Sequence, residues 1–140
     1  MVTVREKVRF VETDMMGVAH HSNHLRWFEM GRVEYMRKAG ISLLSLMQDG
    51  IVFPITEVNC QYKKSAIFDD YILIETKLEY LTRAQMVYTY QVLRESDQAL
   101  LATGRTQNVF TDKKSGRIVR LDKKRLENMF KMYEEDKAVE

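Results

Sequence analysis

The chain is short of the residues that build covalent or metal-stapled scaffolds. It has one cysteine, Cys60, and one proline, Pro54, in 140 residues. A single cysteine excludes an internal disulfide and any multi-cysteine zinc site, and is compatible with a reducing compartment. An excess of one charge sign is also lacking: 22 basic against 20 acidic side chains leave +2, too balanced to indicate a nucleic-acid partner. No run approaches the ~18 apolar residues that read as a membrane span. The opening MVTVREKVRF alternates and carries charge, unlike the apolar run and small-residue cleavage site of a signal peptide. The cytoplasm is the expected location.

What is present describes an ordinary globular chain. Hydrophobic residues make up 45% and charged residues 30%, outside the disordered and fibrous classes. The length suits one domain, residues 1–140, able to bury roughly two thirds of its unfolded surface. Basic residues gather locally: residues 112–131 hold eight Lys/Arg against Asp112, Asp122 and Glu127. Such a patch can meet a phosphate, although most of these lysines suit the solvated face of a helix.

Hydrophobic periodicity supplies the elements. Residues 2–11 alternate, with Val2, Val4, Val8 and Phe10 on one face, and predict a half-buried strand. Residues 12–24, ETDMMGVAHHSNH, break the pattern and hold all three histidines. Ser22 or Asn23 is placed to cap a helix over 23–39 that ends at Gly40. Leu25, Phe28, Tyr35, Met36 and Ala39 share its apolar face, with Arg32 inside that stripe and Glu29 three residues away, able to pair. A short helical turn over 41–48 follows. Strands are then expected over 51–64, 71–80, 85–94 and 99–111, paired antiparallel with their sequence neighbours. A short charged helix over 122–136 closes the chain, with Leu126, Met129, Phe130 and Tyr133 at helical spacing. This order defines an α+β layer architecture. Met86, Tyr88, Tyr90 and Leu100 look like apolar surface left over by one helix, which favours an oligomer.

Chemistry concentrates in residues 9–24, RFVETDMMGVAHHSNH, a loop leading into a helix N-terminus. Unpaired N–H groups and the positive dipole end make that terminus a site for a developing oxyanion. Asp14 lies beside it and suits a nucleophile or a general base on water; turning the loop is its ordinary alternative. Three histidines near a carboxylate also raise zinc, though spacings of one and four residues suggest it only loosely. Cys60 has no evident base nearby and suits buried packing.

The pattern Thr13-Asp14, Gly17-Val18, His21, Asn23 and an aromatic-rich helix with Glu29 and Arg32 resembles the hot-dog-fold acyl-CoA thioesterases, more narrowly the 4-hydroxybenzoyl-CoA thioesterase-like group. Residues 62–70 (YKKSAIFDD), Arg94 with Asp97, and residues 102–121 fit as well, so the likeness spans residues 4–121. It implies a long helix wrapped by a five-stranded antiparallel sheet, subunits joined edge to edge, and active sites at the interface of a homodimer or a dimer-of-dimers tetramer. It implies Asp14 as the catalytic carboxylate and a backbone N–H near His21 as the group polarising the thioester carbonyl. Gly17 lets the loop turn tightly, and Val18 and Asn23 belong to the substrate-binding positions. No metal and no cofactor are implied. The His21 side chain is placed either to touch the thioester or only to supply its backbone.

CoA carries phosphates, so basic side chains are needed at the pocket mouth. Lys63, Lys64, Arg83, Arg117 and Arg120 lie in or beside turns and are the candidates. The chain departs from the family in having Ser65 and Asp122 where proline is common, and Met15-Met16 where smaller residues are common. Those two methionines suit an acyl pocket or the core. The expected activity is hydrolysis of an acyl-CoA to free acid and CoA. Its alternatives are the same chemistry on an acyl carrier protein, docked by the basic stretch, or a non-catalytic acyl-CoA-binding protein.

Overall fold

In the computed structural model, which describes residues 1–138, alternation and helical periodicity resolve into seven strands and three helices. Strand β1 is Val2–Lys7, followed by a 3-10 turn at Phe10–Glu12 and helix α1 at Asn23–Lys38. Helix α2 (Leu43–Gln48), β2 (Ile51–Val52) and β3 (Ile55–Tyr62) follow. Strands β4 (Tyr71–Leu81), β5 (Gln85–Arg94), β6 (Leu100–Val109) and β7 (Thr111–Asp112) precede helix α3 at Lys123–Ala138. Five strands form one antiparallel sheet in the order β1-β4-β5-β6-β3, while β2 and β7 pair as a separate ribbon.

Period-two alternation puts Ile72, Ile74, Thr76 and Leu78 of β4 and Met86, Tyr88, Tyr90 and Val92 of β5 on one buried face. Helix α1 lies across it through Trp27, Phe28, Gly31, Arg32, Tyr35 and Met36. Close approach needs small residues on both sides. A Cβ on Gly104 would stand 2.2 Å from the Phe28 ring, and one on Gly31 would stand 2.1 Å from Thr76 Oγ1. With no side chain beneath it, Phe28 stacks on Tyr90 at 4.4 Å between ring centroids.

Helix α3 seals the sheet beyond the start of β1. β1 pairs with β4 only as far as Thr76, and the buried Asp136 carboxylate accepts the Leu78 N–H at 3.0 Å just beyond it. The same carboxylate accepts the Tyr35 hydroxyl at 2.6 Å and pairs with the Met1 amino group. One side chain thus ties α3 to α1, to β4 and to the start of β1.

Several expectations are corrected. β3 pairs with β6, not with its sequence neighbour β4. The connecting loop crosses the end of the sheet: Lys63 and Lys64 both donate their N–H to Leu101 C=O. The extended run over 51–64 is two strands broken at Pro54, which has no N–H for a ladder. β1 ends before Phe10, which is exposed in the 3-10 turn. Leu25 faces solvent, and Trp27 takes the inward position instead. Neither Ser22 nor Asn23 caps α1 with its side chain. Helix α3 has 16 residues, the same length as α1, and is not short. Met86, Tyr88 and Tyr90 are buried within one chain, and Leu100 is half-buried. Met86, Tyr88 and Tyr90 therefore leave no apolar surface for a partner. The opposite sheet face carries Glu75, Lys77, Glu79, Thr89, Gln91 and Arg105 beside Leu73, Val87 and Leu93, and is the more polar of the two.

Candidate active site

The loop ahead of α1 is a tight hairpin. Thr13 bridges to Ala19, Asp14 N–H donates to Val18 C=O at 2.9 Å, and Gly17 N–H returns to Asp14 C=O at 3.0 Å. Gly17 has φ +78°, a left-handed conformation that favours glycine. Asp14 Oδ1 accepts the Met16 N–H at 2.8 Å, which fixes the side chain inside its own turn. Val18 bridges to Ile67 and pins the hairpin to the loop after β3. Met15 and Met16 stand fully in solvent at the tip, packed neither in the core nor in an acyl pocket.

Glu12 anchors this hairpin and sequence reasoning overlooked it. Its side chain is 4% exposed. Oε1 accepts the Arg9 N–H at 2.8 Å, and Oε2 lies 3.4 Å from the Trp27 indole N–H on α1. Its C=O accepts His20 N–H at 2.8 Å and the Asn23 side-chain amide at 2.9 Å. Asn23 also reaches His20 C=O. It is therefore a brace between loop and helix, without lining the cleft.

The first turn of α1 is locked from two sides. His21 C=O accepts the Tyr62 hydroxyl at 3.1 Å and the His24 ring at Nδ1, 3.2 Å. Burial above all pushes the Tyr62 phenol up to about 12, so it stays protonated and donates. Burial also lowers His24 below its usual value, which keeps the ring neutral near pH 7. The His21 N–H has no acceptor among the described residues. It stands at the positive end of a 16-residue helix.

A cleft of about 290 Å³ brings these groups together. Asp14, Val18, His21, Lys63 and Lys64, named from the sequence, line it. Ala19, His24, Tyr62, Ser65 and Ala66 complete it. Gly17 and Asn23 shape the loop without lining the cleft. Arg83, Arg117 and Arg120 are not among its lining residues. Arg83 Nε donates to Leu121 C=O at 2.7 Å, and Arg117 C=O accepts Asp112 N–H, both at the far end of β6. Lys63 sits beside Leu101 at the other end, and the eight-residue step from Leu101 to Val109 spans about 27 Å at ~3.4 Å per residue. One chain therefore does not gather all five basic candidates.

The remaining candidates fall outside the cleft chemistry. His20 Nδ1 pairs with Ser22 Oγ at 2.8 Å. Among the described residues no group of three or more His, Cys, Asp or Glu is arranged to hold a metal ion. Burial raises the Cys60 thiol, which disfavours the nucleophilic thiolate. Arg32 is buried with Nε and Nη1 unpartnered, and its contact with the exposed Glu29 is 3.9 Å. No helix among the described residues is long and apolar enough to cross a membrane.

An exposed carboxylate, an open N–H at a helix start and two lysines at one cleft suit addition to a carbonyl that carries an anionic leaving group. Comparison with known proteins agrees. The thioesterase-like superfamily model matches residues 8–129. The crystal structure of DHNA-CoA thioesterase from Staphylococcus aureus superposes with a TM-score of 0.86 at 30% identity, covering 98% of this chain and 91% of that one. The 1,4-dihydroxy-2-naphthoyl-CoA hydrolase of a Synechococcus strain is 29% identical over 116 residues, 79% of this chain and 76% of its own. The acyl-CoA thioester hydrolase YbgC of Escherichia coli O157:H7 is 24% identical over 94 residues, 67% of this chain and 70% of its own. The chain belongs to the thioesterase-like superfamily and has its hot-dog fold. Thioester hydrolysis is the activity those relatives' names carry.

Proposed function

We propose that this chain, acting as one thioesterase domain over residues 1–140, hydrolyses acyl-CoA thioesters. Water adds across the acyl–sulfur bond, giving a free carboxylic acid and CoA thiol. The reading rests on one juxtaposition: the Asp14 carboxylate and the His21 residue, whose N–H lacks an acceptor among the described residues, share a single cleft. Asp14 acts as nucleophile or as general base on water. The His21 N–H receives the charge that develops on the carbonyl oxygen, a contribution of about 3 kcal/mol for one well-placed donor. Lys63 and Lys64 at the exposed rim attract the CoA phosphates.

Two copies joined along the exposed β3 edge account for the scattered basic candidates. An isologous antiparallel pairing sets the end of β3 near Pro54 on one copy beside the end near Lys63 on the other. The region of Arg83, Arg117 and Arg120 then approaches the cleft of the opposite subunit.

Asp14→Asn tests the catalytic assignment. Because Asp14 is exposed, stability should change by no more than about 0.5 kcal/mol. CoA release from a panel of aromatic and aliphatic acyl-CoAs should fall by about 10²–10⁴-fold in kcat. Wild-type kcat in the variant would remove Asp14 from the mechanism, and no turnover by the wild type on any CoA ester would remove the function.

A further inference from the structure

One wall of the cleft is a loop with no helix or strand of its own. Residues 63–70 carry the chain from β3 to β4, and Lys63, Lys64, Ser65 and Ala66 line the cleft from it. The hairpin that bears Asp14 leans on this loop twice. Ala19 N–H donates to Ala66 C=O at 2.7 Å, and Val18 bridges to Ile67. Where the loop stands therefore sets where the hairpin stands.

The middle of the loop is held by a side chain from outside the cleft. Arg94 ends β5, the central strand of the sheet. Its Nη2 donates to Ser65 C=O at 3.0 Å and its Nε to Asp70 Oδ2 at 3.1 Å. The same carboxylate oxygen accepts Ile67 N–H at 3.0 Å. Nη1 donates to Asp97 at 3.0 Å, in the turn after β5. A guanidinium presents its donors in a rigid planar fork, so three acceptors around it fix the position and the tilt of the loop together. The two ends of the loop have other anchors. Lys63 and Lys64 donate their N–H to Leu101 C=O, and Val8 N–H donates to Asp70 C=O at 2.8 Å. The stretch over 65–67 between them, which carries the hairpin contacts, is the part that Arg94 holds.

We infer that Arg94 is a positioning residue: through Ser65 and Asp70 its guanidinium sets the cleft wall on which the Asp14 hairpin is registered. This rests on the hydrolase reading with Asp14 as its carboxylate, and adds to it a group that does not line the cleft. Because the two lysines are anchored separately, losing Arg94 disturbs the reacting end and leaves the hold on CoA.

Arg94→Met removes all three donors and tests this in two ways. Amide exchange followed by NMR should be about tenfold or more faster at Ala19 and Ile67, against unchanged amides in the β5–β6 ladder, which report opening of the whole fold. In CoA release from acyl-CoAs, kcat should fall by about tenfold or more with KM within about twofold, since a small displacement of a reacting group is costly. Arg94→Lys, which keeps the charge without the fork, should recover part of that loss. In an Asp14→Asn background Arg94→Met should cost less than about a further twofold, because its effect passes through Asp14. If Arg94→Met does not fold, Arg94→Lys is read in its place, with the same directions expected. Unchanged exchange at Ala19 and Ile67 overturns the inference, and so does a wild-type kcat. A full loss repeated in the Asp14→Asn background does the same, by leaving Arg94 a role that does not run through the hairpin. No hydrolysis of any CoA ester by the wild type would sink the hydrolase reading, while the exchange measurement still decides whether Arg94 sets the wall.

Discussion

Asp14 is presented to the cleft, yet the residue that holds it there is Glu12. The Glu12 carboxylate takes one donor from the strand side, Arg9 N–H, and one from the helix side, the Trp27 indole. Its backbone carbonyl takes two more donors, from His20 and Asn23. The hairpin with Asp14 and the helix start with the His21 N–H are therefore fixed to one residue. Glu12→Gln separates the positioning role from a structural one. The amide can offer its oxygen to Arg9 N–H, but its NH₂ then faces the indole N–H, donor against donor. Unfolding by denaturant should show a loss of about 1–3 kcal/mol for the mispaired buried group. Hydrolysis should lose kcat with little change in KM, because the displaced groups are the ones proposed to act on the reacting carbonyl. An unchanged kcat beside that loss of stability would reduce Glu12 to a structural anchor. Legibility differs between the two carboxylates for a physical reason. Asp14 could be found because its turn is local: Gly17 and the break in alternation are written within a few residues. The partners of Glu12 lie three residues back and fifteen ahead, and no periodicity marks them. The place of His24 in the cleft escaped for a similar reason, since it depends on Tyr62 and the loop after β3 closing around it.

At the scale of elements, periodicity carries the long strands and both long helices well, because each presents one face to one layer. It fails where pairing is non-local. Short spacing suggested β3 beside β4, but the loop over 63–70 carries the chain across the sheet end and leaves β3 outside β6. It fails again in the rotation of α1. Leu25 fits the stripe by hydrophobicity, but the helix is turned so that Trp27 meets Glu12 and His24. That rotation is set by contacts between layers, chiefly Phe28 seated over Gly104. Gly104→Ala tests the seat directly. Its new methyl carbon would lie 2.2 Å from the Phe28 ring, which must move off Tyr90 or push α1 away. Overpacking of this kind typically costs about 1–3 kcal/mol, and thermal unfolding should show the midpoint lowered accordingly. The glycine gives no signal in a strand pattern except as an interruption. An unaltered midpoint would mean that α1 is not seated through this contact.

For the whole molecule, the open question in the sequence was where apolar surface remains. Alternation shows that a strand has two faces but not which one a helix covers, so Met86, Tyr88 and Tyr90 were misassigned to a partner. Many of the exposed apolar side chains lie instead along the β3 edge and toward its two ends. Ile55, Val58 and Tyr62 stand on β3, with Leu44, Met47 and Ile118 exposed in one region of the chain and Phe10, Val11, Ile67 and Phe68 in another. An eight-residue edge strand with apolar residues, left uncovered by the described residues, is a template for a second strand. A two-fold pairing about the middle of β3 sets Val58 opposite or diagonal to its own copy. Val58→Lys then opposes like charges across the seam while leaving a single chain intact, since Val58 is 44% exposed within it. The wild type should sediment as a dimer or a dimer of dimers, with a melting temperature that rises with concentration. The variant should sediment as a folded monomer and lose about tenfold or more of its CoA-ester hydrolysis, because the proposed shared site would lose the basic end of the opposite subunit. A wild type that is monomeric at micromolar concentration would refute the shared site. A monomeric variant with full activity would do the same, leaving one chain with Lys63 and Lys64 to hold the CoA phosphates alone.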